Sequence, residues 1–129
     1  MQHHIIQVTA GAFATAGMRG EDAMEDRNIV STDLGSDQRC TLLAVFDGHR
    51  GPQAAEYAAQ HFESVLLQHW AGAGSAAQAL TAAFLQVDAG FQQWHAGATG
   101  LYQSVLCECH GIFIYEHEAE RDLQPARRM

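Results

Sequence analysis

Several segments of the chain carry regular patterns of hydrophobic and polar positions. Residues 41–46 (Thr-Leu-Leu-Ala-Val-Phe) form a continuous apolar run of strand length. Because this run does not alternate, it predicts a strand that is buried on both faces. Residues 28–32 predict another strand, and residues 33–39 carry the Gly, Ser and Asp of a turn. The short apolar residues of 5–15 predict a further strand pair, interrupted at Gly11.

Apolar residues then recur with helical spacing in two segments. After Pro52, which suits the first turn of a helix, they step by about 3.6 residues. The positions on this first stripe are Ala55, Ala58, Phe62, Val65 and Trp70, with Leu66 and His69 beside them. Ser75 is a favourable N-cap for a second helix, whose stripe comprises Ala76, Leu80, Ala83, Phe84, Val87, Phe91 and Trp94. We expect an antiparallel helix pair that covers a sheet, with its aromatic residues in the core. The glycine-containing residues 95–99 predict a return to loop.

Composition and charge limit the classes of partner. The 129 residues are 47% hydrophobic and 17% charged, which is typical of one globular domain. Fifteen acidic residues against seven arginines, with no lysine, give a net charge of −8. Binding to nucleic acid or to an anionic membrane normally needs a basic surface, so both are poor candidates. An acidic protein is better suited to binding cations.

Neither the N-terminus nor the cysteines indicate a secreted protein. The first residues do not form a secretory signal, and no apolar run approaches the roughly 18 residues that span a bilayer. The three cysteines, Cys40, Cys107 and Cys109, are too few for a disulfide framework. We therefore expect a cytoplasmic or nuclear protein. The tract Cys-Glu-Cys-His at 107–110 is an incomplete zinc ligand set, and we expect a strand fragment there.

Two acidic clusters carry the candidate chemistry. Glu25 and Asp26 lie in a charged loop, and Asp47, Gly48 and His49 follow the predicted buried strand. A carboxylate beside an accessible glycine carbonyl offers the oxygen ligands that Mg²⁺ and Mn²⁺ prefer. A histidine next to it could donate a proton to a leaving group. An Asp-Gly turn and a solvated acidic loop would explain the two clusters equally well, and the spacing alone leaves both interpretations open.

Longer motifs resemble a known family. Met-Glu-Asp-Arg at 24–27, followed by Leu-Ala-Val-Phe-Asp-Gly-His-Arg-Gly at 43–51, is similar to the opening of the metal-dependent protein phosphatases of the protein phosphatase 2C (PPM-type) family. Residues 84–91 resemble the second helix of that family, and residues 94–99 resemble the segment that starts its next strand. The Asp-Gly-His-Arg-Gly variant is similar to plant-type members. The resemblance covers residues 11–100.

The resemblance implies a fold and an activity. The fold is α+β, a central β-sandwich flanked by antiparallel helix pairs (α-β-β-α), of which this chain would be an incomplete N-terminal portion. Residues 11–100 would belong to the phosphatase domain, and residues 101–129 would be a divergent tail with little order. The substrates would be phosphoserine or phosphothreonine in proteins, and the cofactors would be two Mg²⁺ or Mn²⁺ ions.

The resemblance also implies residue roles. Asp47 would bridge both metal ions and Gly48 would offer its carbonyl to one of them. Glu25 and Asp26 would line the same pocket, mostly through metal-bound waters. His49 would be the general acid.

Two departures from the family pattern qualify these roles. The family has a phosphate-binding arginine three residues before its Met-Glu-Asp, where this chain has Glu21, and Arg19 lies two residues further out. Either the loop contains an insertion and Arg19 contacts the phosphate, or the contact is lost; Arg50 is a weaker candidate. The later metal-binding aspartates of the family also have no counterpart, so we expect an incomplete ligand set.

Half of a sandwich would expose strand edges and an apolar sheet face. We therefore expect a chain that is marginally folded, prone to aggregate or dependent on a partner for folding. An alternative to the phosphatase is a catalytically inactive truncated isoform that acts as a binding or regulatory module.

Overall fold

A three-stranded antiparallel sheet and two long helices make up the structure, a computed structural model that describes residues 8–36, 40–49, 51–99 and 108–116. In chain order the elements are β1 (Arg27–Ser31), β2 (Cys40–Asp47), α1 (Gln53–Trp70), α2 (Ala76–Thr99) and β3 (Glu108–Glu116). Strand β2 is central and pairs antiparallel with both β1 and β3. Within the described part of the chain this is an α+β arrangement, in agreement with the prediction.

The two faces of β2 have different environments. Leu42, Ala44 and Phe46 are at most 3% exposed, whereas Val45, between them on the other face, is 48% exposed. On the neighbouring β1, Val30 is 38% exposed. The prediction that the run is buried on both faces is therefore wrong for part of the strand. Among the described elements the helices α1 and α2 cover one face only. The other face is open at Val45 and Val30, whereas Thr41 on that same face of β2 is fully buried.

Both helices begin where their sequences predict, and they pack as predicted except at Trp94, which the sequence assigns to the core and which is 50% exposed. The Pro52 carbonyl accepts the Glu56 N–H at 2.8 Å, and the Ser75 hydroxyl accepts the Gln78 N–H at 3.2 Å, which confirms the helix starts. The buried positions of the two helices form one core with the inner face of β2. Phe62, fully buried, lies at the centre of this core. Its ring centroid is 5.6 Å from that of Phe46 and 4.8 Å from that of Phe84.

Helix α2 is longer than its sequence predicts. The loop expected at residues 95–99 is instead the last part of the helix, and so is the segment 94–99 that resembles the start of a strand. A single internal glycine destabilises a helix by only about 1 kcal/mol. Aromatic contacts hold this end of α2: the His95 ring stacks on Phe91 at 5.3 Å, and Trp94 lies 5.8 Å from Tyr57 of α1. Packing between the helices therefore outweighs the local glycine signal.

The N-terminal segment differs from expectation, whereas part of the C-terminal segment agrees with it. Residues 8–15 contain no strand, and Phe13 is 91% exposed; residues 5–7 of the predicted strand pair lie outside the described residues. A strand needs a neighbouring backbone to pair with, and no described strand lies beside this segment. At the other end, the structure describes β3 along the second edge of β2, which confirms the strand fragment predicted at 107–110 for its described residues 108–110. Cys107 lies outside the described residues.

No helix of the described residues combines the length and the apolar character needed to cross a membrane.

The position of Phe62 leads to a stability prediction. Phe62→Ala should lower the free energy of unfolding by about 3–5 kcal/mol, because it removes a fully buried ring from the centre of the core. Urea denaturation followed by circular dichroism measures the change. Phe13→Ala is the matched control and should change the unfolding free energy by less than about 0.5 kcal/mol, since Phe13 is almost fully exposed. Equal effects of the two substitutions would contradict the described core.

The open face of the sheet leads to a second prediction. Val45→Thr should reduce aggregation on heating, because it replaces an exposed apolar side chain with a polar one of the same shape and strand propensity. Light scattering measures aggregation, and urea denaturation should show little loss of stability. Ala44→Thr, one residue away on the buried face, should instead destabilise the fold by roughly 1–3 kcal/mol, because it adds volume and a hydroxyl to the core. A larger loss of unfolding free energy in Val45→Thr than in Ala44→Thr would show that the buried and exposed faces are the reverse of those described.

Candidate active site

The pairing of β1 with β2 brings the two acidic clusters together. Strand β1 begins at Arg27, strand β2 ends at Asp47, and Arg27 pairs with Phe46. In an antiparallel pair, the residues that precede one strand lie opposite those that follow the other. The loop that contains Glu25 and Asp26 therefore runs beside the turn that follows β2.

Gly48 lies at the closest approach between the loop and the turn. This residue is buried, and a Cβ on it would lie 2.9 Å from the carbonyl carbon of Glu25 and closer still to the carbonyl oxygen. The Gly48 N–H donates to Oδ1 of Asp26 at 3.3 Å. A glycine is needed at this position because any side chain would push the acidic loop away.

A second hydrogen bond ties the loop to the same turn. The Gly51 N–H donates to Oε1 of Glu25 at 3.0 Å. Gly51 has a φ of +113°, in a region that residues with a side chain rarely adopt. One oxygen of each loop carboxylate is thus bound to a backbone N–H, and the two carboxylates are held beside Asp47.

A cleft of about 560 Å³ gathers the residues that the sequence singles out. It is lined by Thr15, Ala16, Arg19, Ala23, Met24, Glu25, Asp26, Asp47, Gly48 and His49. All six predicted site residues are in this set. Their individual roles stay predictions, because the geometry shows proximity alone. Arg50 lies outside the described residues.

The position of Arg19 follows from two tight turns. Residues Gly17–Arg19 and Glu21–Ala23 each form a short 3₁₀ turn, separated by Gly20 with a φ of +85°. Such turns shorten the path of the chain, so Arg19 lines the cleft although it is two residues further from Met24 than in the family pattern. The placement is compatible with an insertion in this loop, and the contact of Arg19 with a substrate phosphate stays a prediction.

His49 and Asp47 are close enough to interact. Nδ1 of His49 lies 3.5 Å from Oδ1 of Asp47, and the two side chains are 51% and 34% exposed. At this distance a protonated imidazole forms an ion pair with the carboxylate. Because both groups reach solvent, a bound substrate could contact either of them.

The donor set suits a hard cation in part. Carboxylate and carbonyl oxygens are the ligands of Mg²⁺ and Mn²⁺. Among the described residues, however, no group of three His, Cys, Asp or Glu side chains is arranged to hold a metal ion. The metal-binding roles of Asp47, Gly48, Glu25 and Asp26 therefore stay predictions.

Sequence reasoning did not single out Arg27. Nη1 of this residue donates to the carbonyls of Met24 at 3.1 Å and Asp26 at 2.9 Å. Nη2 lies 3.6 Å from Oε2 of Glu56 on α1. The available signal was an arginine directly after an acidic pair and at the start of a strand.

The close approach at Gly48 leads to a prediction. Gly48→Ala should lower the unfolding free energy by about 1–3 kcal/mol, because its methyl group would overlap the backbone of Glu25. Thermal or urea unfolding measures the loss. Gly72→Ala is the matched control, since a Cβ at Gly72, between the helices, meets no atom within 4 Å. Equal stability of the two variants would show that the loop and the turn are further apart than described.

The sequence of the chain is similar to those of known proteins. The sequence profile of the family "Protein phosphatase 2C" matches residues 10–107. The chain is 34% identical over 116 residues to a "Protein kinase and PP2C-like domain-containing protein" of Arabidopsis thaliana, covering 78% of this chain and 17% of that protein. It is 30% identical over 106 residues to a protein of the same description from Oryza sativa subsp. japonica, covering 70% and 16%.

A yeast protein shows the same relationship over a shorter range. The chain is 37% identical over 59 residues to "Protein phosphatase 2C homolog 1" of Schizosaccharomyces pombe, which covers 46% of this chain and 17% of that protein. The chain spans about a sixth of the length of these three relatives. No solved structure matches it. The profile match covers most of the chain and includes both acidic clusters, so the chain belongs to the protein phosphatase 2C family.

Proposed function

We propose that this chain supplies the N-terminal part of the catalytic cleft of a metal-dependent protein serine/threonine phosphatase. The reaction is hydrolysis of the phosphate ester of phosphoserine or phosphothreonine in a protein. One observation carries the proposal: in a member of this family, Glu25, Asp26 and Asp47 converge on one cleft together with His49 and Arg19.

The charges of the cleft support a requirement for divalent cations. Three carboxylates and one guanidinium line the cleft. A phosphate dianion would be repelled by the carboxylates unless cations offset their charge. Bound Mg²⁺ or Mn²⁺ would supply that charge and an activated water near neutral pH. Asp47 and the Gly48 carbonyl would hold the cation, and Glu25 and Asp26 would hold its water shell.

His49 and Arg19 would act on the substrate. The Asp47 carboxylate faces Nδ1 of His49, which leaves Nε2 as the nitrogen that donates a proton to the departing serine or threonine oxygen. The planar guanidinium of Arg19 suits two parallel hydrogen bonds to phosphate oxygens. Together these residues would protonate the leaving group and orient the phosphate.

A second candidate function is a non-catalytic binding or regulatory module. The observation that favours it is the absence of a three-side-chain metal-binding group among residues 8–36, 40–49, 51–99 and 108–116. A chain with an incomplete set of metal ligands would bind cations weakly. The two candidates differ in a measurable property, the affinity of the chain for Mn²⁺.

The enzymatic proposal predicts a loss of activity in Asp47→Asn. This change keeps the size of the side chain and removes the charge that would bind the cation. We expect Mn²⁺-dependent phosphate release from a phosphothreonine peptide to fall by a factor on the order of 100 or more. The matched control is Asp88→Asn on the exposed surface of α2, which should leave phosphate release unchanged.

Two results would count against the enzymatic proposal. One is equal activity of the Asp47 and Asp88 variants. The other is no phosphate release above the blank by the unmodified chain at millimolar Mn²⁺. Calorimetric titration with Mn²⁺ then separates the two candidates, because the non-catalytic module predicts weak or undetectable binding.

A further inference from the structure

Arg27 connects the acidic loop to the helix layer. Its Nη1 donates to the two carbonyls on either side of Glu25, those of Met24 at 3.1 Å and Asp26 at 2.9 Å. Its Nη2 lies 3.6 Å from the Glu56 carboxylate, in the first turn of α1. One guanidinium therefore contacts the loop backbone and the helix at the same time.

We propose that Arg27 is a positioning residue that holds Glu25 and Asp26 in the geometry of the cleft, with Glu56 as its anchor on α1. It acts through the loop backbone and does not contact the substrate. The role in metal binding rests on the proposed function, whereas the effect on the loop does not.

The hydrogen bonds explain how Arg27 would fix the carboxylates. Two carbonyls that flank one residue, both bonded to the same nitrogen, restrict the backbone angles between them. With the backbone restricted, the Asp26 carboxylate meets the Gly48 N–H and the Glu25 carboxylate meets the Gly51 N–H. Both contacts join the loop to the turn, so they depend on the orientation of the loop.

Repulsion among the carboxylates of the cleft explains why the loop needs a positioning residue. Glu25, Asp26 and Asp47 repel one another in the absence of a cation, and this repulsion favours a loop that moves away. The side chain of Arg27 is 33% exposed and that of Glu56 is 50% exposed. Their ion pair is therefore well screened and contributes little by itself. The positioning effect comes mainly from the two carbonyl hydrogen bonds, and Glu56 directs the guanidinium toward α1.

A lysine could not replace this geometry. The guanidinium is planar and presents separate nitrogens in a fixed fork, whereas an ammonium group has a single nitrogen. Lysine at position 27 would keep the charge but could not reach the carbonyls and Glu56 with two different nitrogens. Arg27→Lys should thus restore only part of what Arg27→Met removes.

Amide hydrogen exchange, measured by NMR on the metal-free chain, tests the proposal. In Arg27→Met, which keeps the apolar stem, we expect the Gly48 and Gly51 amides to exchange about tenfold faster. Arg27→Lys and Glu56→Gln should give smaller increases in the exchange rates of these two amides. Because Glu56→Gln keeps the Arg27 side chain, it still tests the proposal if Arg27→Met does not fold. The Gly74 amide, which donates to the Gln78 side chain at 2.9 Å in the connection between the helices, should exchange at the unmodified rate.

Glu63→Gln is the matched control for the anchor. Glu63 lies on the same helix and accepts a hydrogen bond from the Ser31 hydroxyl at 3.0 Å. Ser31 is at the end of β1 that lies away from the cleft. This variant should leave the amide exchange rates of Gly48 and Gly51 unchanged. Unchanged exchange at both glycines in Arg27→Met would overturn the proposal. So would an equal acceleration at Gly74, because Arg27 would then affect overall stability only.

A Mn²⁺ titration keeps this proposal distinct from the proposed function. If the unmodified chain binds Mn²⁺, the affinity should fall in Arg27→Met together with the protection of Gly48. If the unmodified chain does not bind Mn²⁺ while Arg27→Met still exposes Gly48 and Gly51, the phosphatase proposal fails and the positioning role stands.

Discussion

The register between β1 and β2 is the constraint on which the candidate site depends. Pairing Arg27 with Phe46 determines that the acidic loop runs beside the turn after β2. A slip of one residue would turn every side chain of the strand to the opposite face. Phe46 and Leu42 would then leave the core, so the buried face holds the register in place. The hydrophobic core thereby sets the geometry of a polar cleft with which it shares only strand β2.

The cleft gathers negative charge and compensates for it with backbone groups. The backbone N–H groups of Gly48 and Gly51, in the turn, each donate a hydrogen bond to one loop carboxylate. Both positions need glycine, one for close approach and the other for its positive φ. Asp47 completes the arrangement because it directly follows Phe46, whose burial fixes the end of the strand. Local backbone freedom and core packing are therefore both required for the carboxylates to converge.

Much of the fold was predictable, and the failures have physical causes. The spacing of apolar residues predicted α1 and the start of α2, and the apolar run predicted β2, because these patterns reflect burial directly. The end of α2 was missed because ring contacts with Tyr57, distant in sequence, outweigh the signal of Gly97. The burial of β2 was overestimated because a run without alternation does not show whether a second layer covers it. In the candidate site, the acidic residues and His49 were singled out from their types and from the family resemblance, and the structure brings them to one cleft. Arg27 contacts backbone carbonyls, which a sequence pattern does not display.

The connection between β1 and β2 lies at the end of this strand pair that is far from the cleft. The residues that join β1 to β2 follow Ser31, at the opposite end of the strand from Arg27, about 14 Å away at roughly 3.4 Å per residue. The connection nevertheless contributes to the core, because Leu34 within it is only 3% exposed and packs with the buried positions of β2 and the helices. An affinity tag inserted there would leave the acidic loop and its turn in place, but it would disturb the core unless Leu34 keeps its position.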